Sequence, residues 1–221
     1  LFISSRVKFK FNRRDFQNCH QVEKYNNFIN KSLNTQFYAG ELTIYSDNSL
    51  KEKSNVTSKK LPMLGINPGA SYGSSKRWYP EEFANVAAKL SSQYDITILG
   101  GPTEIDISMD IQKLLVKKGV TNYQNLAGSL NISELIHHIS NLDLFITGDS
   151  GPMHIAASYQ IPTVSIFGPT RDNETSQWLN QKSIIVKKNL DCQPCMKRIC
   201  PLKHHNCMKM IKAKDVLTEI E

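Results

Sequence analysis

No stretch of the 221-residue sequence holds eighteen consecutive apolar residues, so no hydrophobic helix long enough to cross a bilayer is encoded. There is no G-x-G-x-x-G, which removes the dinucleotide fingerprint, and no G-x-x-x-x-G-K-S/T, which removes the P-loop. No apolar leader block opens the chain. "LFISSRVKFKF" instead alternates apolar residues with Arg6, Lys8 and Lys10, as a strand does. The opening residue is not Met, and sequence is expected to precede Leu1. Acidic residues are short: 20 Asp+Glu against 27 Lys+Arg gives a net charge of +7. Cysteine is sparse too, at five residues, and with no sign of secretion a disulfide scaffold is a poor fit.

What is present is unevenly placed. Residues 1–14 hold five basic residues and no acid, and residues 182–214 hold nine with only Asp191 against them. Such segments are either solvated surface or a face that meets an anion such as phosphate, nucleic acid or lipid headgroups. The 40% hydrophobic content suits a globular protein with one large domain, or one domain and part of another.

Periodicity orders the chain. "HQVEKYNNFINKSL" (20–33) spaces Val22, Tyr25, Phe28, Ile29 and Leu33 as a helix does. Residues 46–60 are polar and read as a linker. From Leu61 onward strands are expected at 61–67, 95–101, 142–147 and 162–167, with helices at 79–93, 103–119, 131–141 and 150–159. Strand–helix alternation at this spacing predicts an α/β fold, a parallel sheet covered on both faces. Ligands bind such sheets at the carboxyl ends of the strands. Three loops fall there, at 67–78, 100–104 and 147–154.

The first, "NPGASYGSSKRWYP", combines Gly69 and Gly73, which let backbone approach closely, with small hydroxyls and Lys76, and suits an anion. In the second, "LGGPTE", Thr103 is the expected helix cap, and Glu104 is either an acceptor for a ribose-like diol or a first-turn acid favoured by the helix dipole. The third, "TGDSGPMHIAA", puts a helix start beside a strand end. Asp149 or Ser150 is expected to cap it, Gly151 removes side-chain bulk and Pro152 fits the first turn. Free N–H groups there suit a diphosphate, with His154 one turn in as a further donor. Asp149 fits beside a phosphate only if it holds backbone N–H groups or a ligand hydroxyl.

Together "PGASYGSSKRWYPEEFA", "ILGGPTE", "NLAGSLNISELIHHIS" and "DLFITGDSGPMHIAASYQIPTVSIFGPT" resemble glycosyltransferase family 9, the heptosyltransferases, and within it the type that adds the second heptose of the lipopolysaccharide inner core. The resemblance covers about 61–221 well and 1–38 more weakly. It implies a GT-B fold of two Rossmann-like domains. Residues 1–45 would be a remnant of the N-terminal acceptor domain, 46–60 the linker and 61–221 the C-terminal donor domain. It implies inverting transfer of L-glycero-D-manno-heptose from ADP-heptose to a lipid A-core glycolipid. The setting would be the cytoplasm of a Gram-negative bacterium, with peripheral contact at the inner membrane. It implies no cofactor and no nucleic-acid partner. By motif, Ser71, Tyr72, Lys76, Glu104, Asp149, Ser150, Gly151 and His154 are carried over as donor-binding residues. The family's catalytic aspartate is expected in about the first hundred residues of the family pattern, before this sequence begins, so no catalytic base is assigned and the isolated chain is expected to be inactive.

Two features allow other readings. Cys192-x2-Cys195-x4-Cys200-x6-Cys207, with His204 and His205, has ligands enough for structural zinc. It lacks a second C-x2-C, and the expectation is reduced cysteines in a stiff loop with no metal. Another GT-B enzyme with a different nucleotide sugar is one rival function. A non-enzymatic nucleic-acid-binding module is the other, though the basic residues are not interleaved with aromatics.

Overall fold

The computed structural model describes residues 19–45, 61–70 and 72–220. The basic segment 1–14, the linker stretch 46–60 and Ser71 lie outside the described residues.

Among the described residues, six strands make one sheet: β1 (Met63–Asn67), β2 (Asp95–Ile98), β3 (Tyr123–Asn125), β4 (Leu144–Gly148), β5 (Thr163–Phe167) and β6 (Ser183–Lys187). All neighbours pair in parallel, in the order β3-β2-β1-β4-β5-β6. The helices are α1 (Gln21–Leu33), α2 (Pro80–Leu90), α3 (Ile105–Lys117), α4 (Ile132–Ser140), α5 (Gly151–Ser158), α6 (Asp172–Thr175), α7 (Asn206–Lys209) and α8 (Ala213–Leu217).

Burial on both faces explains why the central strands read as unbroken apolar runs. Side chains still alternate. Leu144 and Ile146 join a core with Trp78, Phe83, Val86, Ile111, Leu115 and Val216, whereas Phe145 joins a second core with Leu99, Ile139, Ala156 and Ile161. The first core gathers α2, α3 and α8, and the second gathers α4 and α5. Pro80 opens α2 at a position whose N–H would have no helical partner, and Tyr79 before it is extended, as a pre-proline residue prefers.

The chain leaves β1 towards one face and β4 towards the other. The two strands are neighbours, with Asn67 level with Thr147 at their carboxyl ends. Their diverging loops open a crevice at the point where the strand order reverses.

Several expectations are corrected. The outer strands β3 and β6 were not foreseen. "YQN" offers no apolar signal, and its middle residue is exposed. Thr103 does not cap a helix. A 3-10 turn, Pro102–Glu104, precedes α3, and the Thr103 hydroxyl donates to Glu104 Oε1 at 2.6 Å. The α1 helix forms, capped by His20, whose ring accepts from the Val22 N–H while Glu23 accepts from the His20 N–H. None of its residues is buried, however, and Tyr25 and Leu33 stay 66% and 57% exposed. It is held to the segment after β5 by the Lys24–Glu174 ion pair at 3.0 Å and by the His20 ring, 4.7 Å from that of Trp178.

Candidate functional site

The crevice is laced shut at its base by Asn67. Its buried amide donates to Thr147 Oγ1 at 3.1 Å and to Ser150 Oγ at 3.0 Å, tying the end of β1 to the start of α5. Thr147 and Ser150 share a further bond of 3.1 Å. Sequence reasoning named Ser150 but passed over Asn67. The available signal was a polar residue closing an apolar strand.

These bonds also correct the expected cap. Ser150 occupies the N-cap position with extended dihedrals, yet its hydroxyl makes no capping bond because Asn67 and Thr147 engage it. Asp149 does not cap either. Among the described residues no side chain caps α5: Pro152 has no N–H, the Met153 N–H donates to the Ser150 carbonyl at 3.2 Å, and the Gly151 N–H is left at a helix end that keeps its partial positive charge. A Cβ at Gly151 would meet no atom within 4 Å, so the space over this helix end is open.

Lys76 closes a 3-10 turn, Ser74–Lys76, and reaches across the crevice. Its Nζ lies 2.5 Å from Asp149 Oδ2 and donates to the Asp149 carbonyl at 3.3 Å. Thr170 Oγ1 donates to the same Oδ2 at 2.7 Å. The pair is mostly withdrawn from water, with Lys76 12% and Asp149 6% exposed. A desolvated charge demands a partner. Asp149 is thus the counter-ion of Lys76, neither a cap for α5 nor a carboxylate without a partner. Tyr72 lies beneath the lysine, with Nζ 4.6 Å from its ring centroid, the Arg198 guanidinium 5.1 Å away, and its hydroxyl donating to the Met196 carbonyl at 2.9 Å. Thr170, like Asn67, was not foreseen.

His154 stands on the first turn of α5. Burial lowers its pKa and Asp149 opposes that, while His20 and Lys76 lower it further. The ring is therefore neutral at pH 7 and offers a single N–H donor. Glu104 is buried on the β2 side of the crevice. Its Oε2 accepts from the Gly101 N–H at 2.9 Å, its Oε1 accepts from Thr103, and Arg77 Nη2 is 3.9 Å away. Gly69 lies on this side chain so closely that a Cβ there would collide with it. The structure thus brings Tyr72, Lys76, Asp149 and Ser150 together, places Gly151 and His154 on the adjoining helix start, and sets Glu104 next to Arg77, the residue after Lys76.

Behind the Lys76 loop, Cys192, Cys195, Cys200 and Cys207 line one small cavity with Ser75, His204 and His205. All are free thiols. Among the described residues, no three His, Cys, Asp or Glu side chains are arranged to hold a metal ion. Burial, and then Cys195, Cys200 and Cys192, raise the Cys207 thiol to a pKa of about 11. Its thiolate fraction at pH 8 falls roughly a hundredfold below that of an ordinary cysteine. Iodoacetamide at pH 8 should leave Cys207 unmodified in the folded protein and label it in denaturant. Mass spectrometry showing native labelling of Cys207 at the rate of the other thiols would contradict this.

Comparison with known proteins gives a consistent picture. The family model for glycosyltransferase family 9 (heptosyltransferase) matches residues 4–206. Lipooligosaccharide heptosyltransferase 2 of Campylobacter jejuni serotype O:6 is 39% identical over 220 residues, covering 99% of this chain and 69% of the relative. The structure of Escherichia coli ADP-heptose lps heptosyltransferase II superposes with a TM-score of 0.67 at 24% identity, over 84% of this chain and 53% of that one. The E. coli heptosyltransferase WaaC with ADP gives 0.64 at 14% identity, over 92% and 57%. The chain therefore spans about two thirds of the Campylobacter relative and little more than half of either solved chain.

Proposed function

The chain belongs to glycosyltransferase family 9, the heptosyltransferases, and from that premise we propose that residues 61–221 form the donor domain of an enzyme that transfers heptose from ADP-heptose to the inner core of lipopolysaccharide, as its second heptose. The observation that carries this reading is the Lys76–Asp149 pair beside the open N-terminus of α5, at the point where the strand order reverses. A lysine beside the positive end of α5, with the Gly151 N–H uncapped by any described side chain, suits a diphosphate. Lys76 exchanges part of its bond to Asp149 for a phosphate oxygen. Neutral His154 adds a donor without placing a second full charge there.

The same groups serve the reaction. Negative charge grows on ADP as the anomeric bond breaks, and pre-placed donors stabilise it without reorganising. An acceptor hydroxyl attacks from the opposite face, giving its proton to a general base outside the residues assigned to this site, and the anomeric centre inverts. Glu104, with lone pairs left on both oxygens, suits the ribose diol. Ser71 is assigned to the donor loop by motif alone.

The acceptor is a lipid A-core glycolipid. No helix among the described residues is long and apolar enough to cross a membrane. Ion pairs of Lys187 with Asp172, Lys188 with Asp215 and Lys212 with Glu82 leave segment 182–214 less basic than its composition implies. Its remaining cations support a weak, salt-sensitive attraction to an anionic leaflet.

Isothermal titration with ADP, AMP and UDP tests the donor assignment. ADP should bind at least tenfold more tightly than AMP, which lacks the second phosphate, and more tightly than UDP. Equal affinity for ADP and AMP would refute a diphosphate site. Preference for UDP would favour another nucleotide-sugar transferase.

A further inference from the structure

We infer that His205 is a positioning residue for Lys76: a staple that fixes the phosphate-binding turn from both sides. This rests on the donor-site reading above, because only there does the placement of Lys76 matter.

The turn has little internal support. Within Gly73–Arg77 the backbone bonds are Lys76 N–H to the Gly73 carbonyl and Arg77 N–H to the Ser74 carbonyl. Beyond the side-chain contacts of Lys76 with Asp149 and Arg77 with Glu104, its backbone is restrained by the cysteine-rich segment. Ser75 is buried, and all its polar groups are engaged there. Its N–H donates to the Arg198 carbonyl at 3.1 Å, its hydroxyl donates to the Lys197 carbonyl at 2.5 Å, and its carbonyl accepts from His205 Nε2 at 2.8 Å.

His205 makes a second contact on the far side of Lys76. Its Nδ1 lies 3.2 Å from the Tyr79 hydroxyl. A carbonyl can only accept, so Nε2 must carry the proton facing Ser75. Nδ1 is then the acceptor, and Tyr79 must donate. Burial raises the Tyr79 pKa, which keeps that phenol an O–H donor. One ring therefore holds the residue before Lys76 and the residue three after it. Nearby, Trp78 Nε1 donates to the Ile211 carbonyl at 2.9 Å, and a Cβ at Gly73 would drive into the Arg198 carbonyl. His205 itself sits in the left-handed region, at φ 53° and ψ 28°. A non-glycine residue keeps that conformation only where its surroundings require it.

Three substitutions separate this role from a merely structural one. His205→Asn tolerates the left-handed backbone but is too short to reach Ser75. His205→Gln restores an N–H at the reach of Nε2, and His205→Ala removes both bonds. ADP affinity should fall roughly three- to tenfold in the Asn and Ala variants and return to within about twofold of the parent in the Gln variant. Because His205 acts through Lys76, a His205→Asn/Lys76→Ala double variant should bind ADP no more weakly than Lys76→Ala alone. Parent-like ADP binding by His205→Asn, losses that multiply in the double variant, or failure of Gln to rescue would each overturn the inference. If His205→Ala does not fold, the Asn and Gln pair decides. Failure of the parent to bind ADP, or no effect of Lys76→Ala, would count against the donor site itself and not against the staple.

Discussion

Lys76→Ala should weaken ADP binding by tenfold or more, whereas Asp149→Asn should leave it unchanged or tighter. A charge-assisted hydrogen bond to phosphate is worth about 1.5–3 kcal/mol, so removing the ammonium costs one to two orders of magnitude in affinity. Removing the carboxylate acts in the opposite sense. Asp149 holds Nζ at 2.5 Å and competes with an incoming phosphate for it. Asn keeps a partner for the Thr170 hydroxyl and releases the lysine. Stability separates the variants further. Without Lys76, the 6%-exposed Asp149 carboxylate keeps, among the described residues, only Thr170 as a hydrogen-bonding side chain. Stranding a buried charge in this way costs about 3 kcal/mol, which lowers the melting temperature by roughly 6 °C or more in a domain of this size. Lys76→Ala/Asp149→Asn should recover the melting temperature and not the affinity. Titration calorimetry and thermal melts check both. An Asp149→Asn variant that loses as much ADP affinity as Lys76→Ala would mean that Asp149 touches the ligand directly.

Gly151→Val should abolish measurable ADP binding, by roughly a hundredfold or more, with almost no change in melting temperature. The position is exposed, and a Cβ there meets no neighbouring atom within 4 Å, so a side chain starts into open space in the ligand-free protein. The same side chain would fill the space through which phosphate oxygens approach the first-turn N–H groups of α5. Gly151→Ala, with one methyl group, should fall between the parent and the valine variant. A Gly151→Val protein that binds ADP like the parent would place the diphosphate elsewhere. One that unfolds would contradict the open geometry.

Both predictions draw on residues visible in the sequence, but for different reasons than the sequence suggested. Lys76, Asp149, Ser150 and Gly151 stood out because polar and glycine residues interrupt the handover from strand to helix. That signal is local. The cap assigned to Asp149 or Ser150 did not form, because the competing partners are remote. Asn67 claims Ser150 across 83 residues, and Lys76 claims Asp149 across 73. The helical spacing of α1 was read correctly too. None of its residues is buried, since spacing reports periodicity and not what lies opposite it.

By itself the sequence determined the alternation of strands and helices, the doubly covered parallel sheet and the three loops at its carboxyl edge. Periods of two and 3.6 residues, Pro80 and Pro152 at helix starts, and glycines in the connecting loops act within a few residues of one another. Only the tertiary structure decided that β3 flanks the sheet, since "YQN" is held by backbone pairing and carries no apolar run, whereas β6, "SIIVK", carries one that the sequence reading passed over. The tertiary structure alone also turned Asp149 from a cap into a counter-ion and set the cysteine-rich segment behind the Lys76 turn. These contacts depend on the register of β1 against β4 and on the path of a loop more than a hundred residues downstream, distances over which no periodicity in a single sequence carries information.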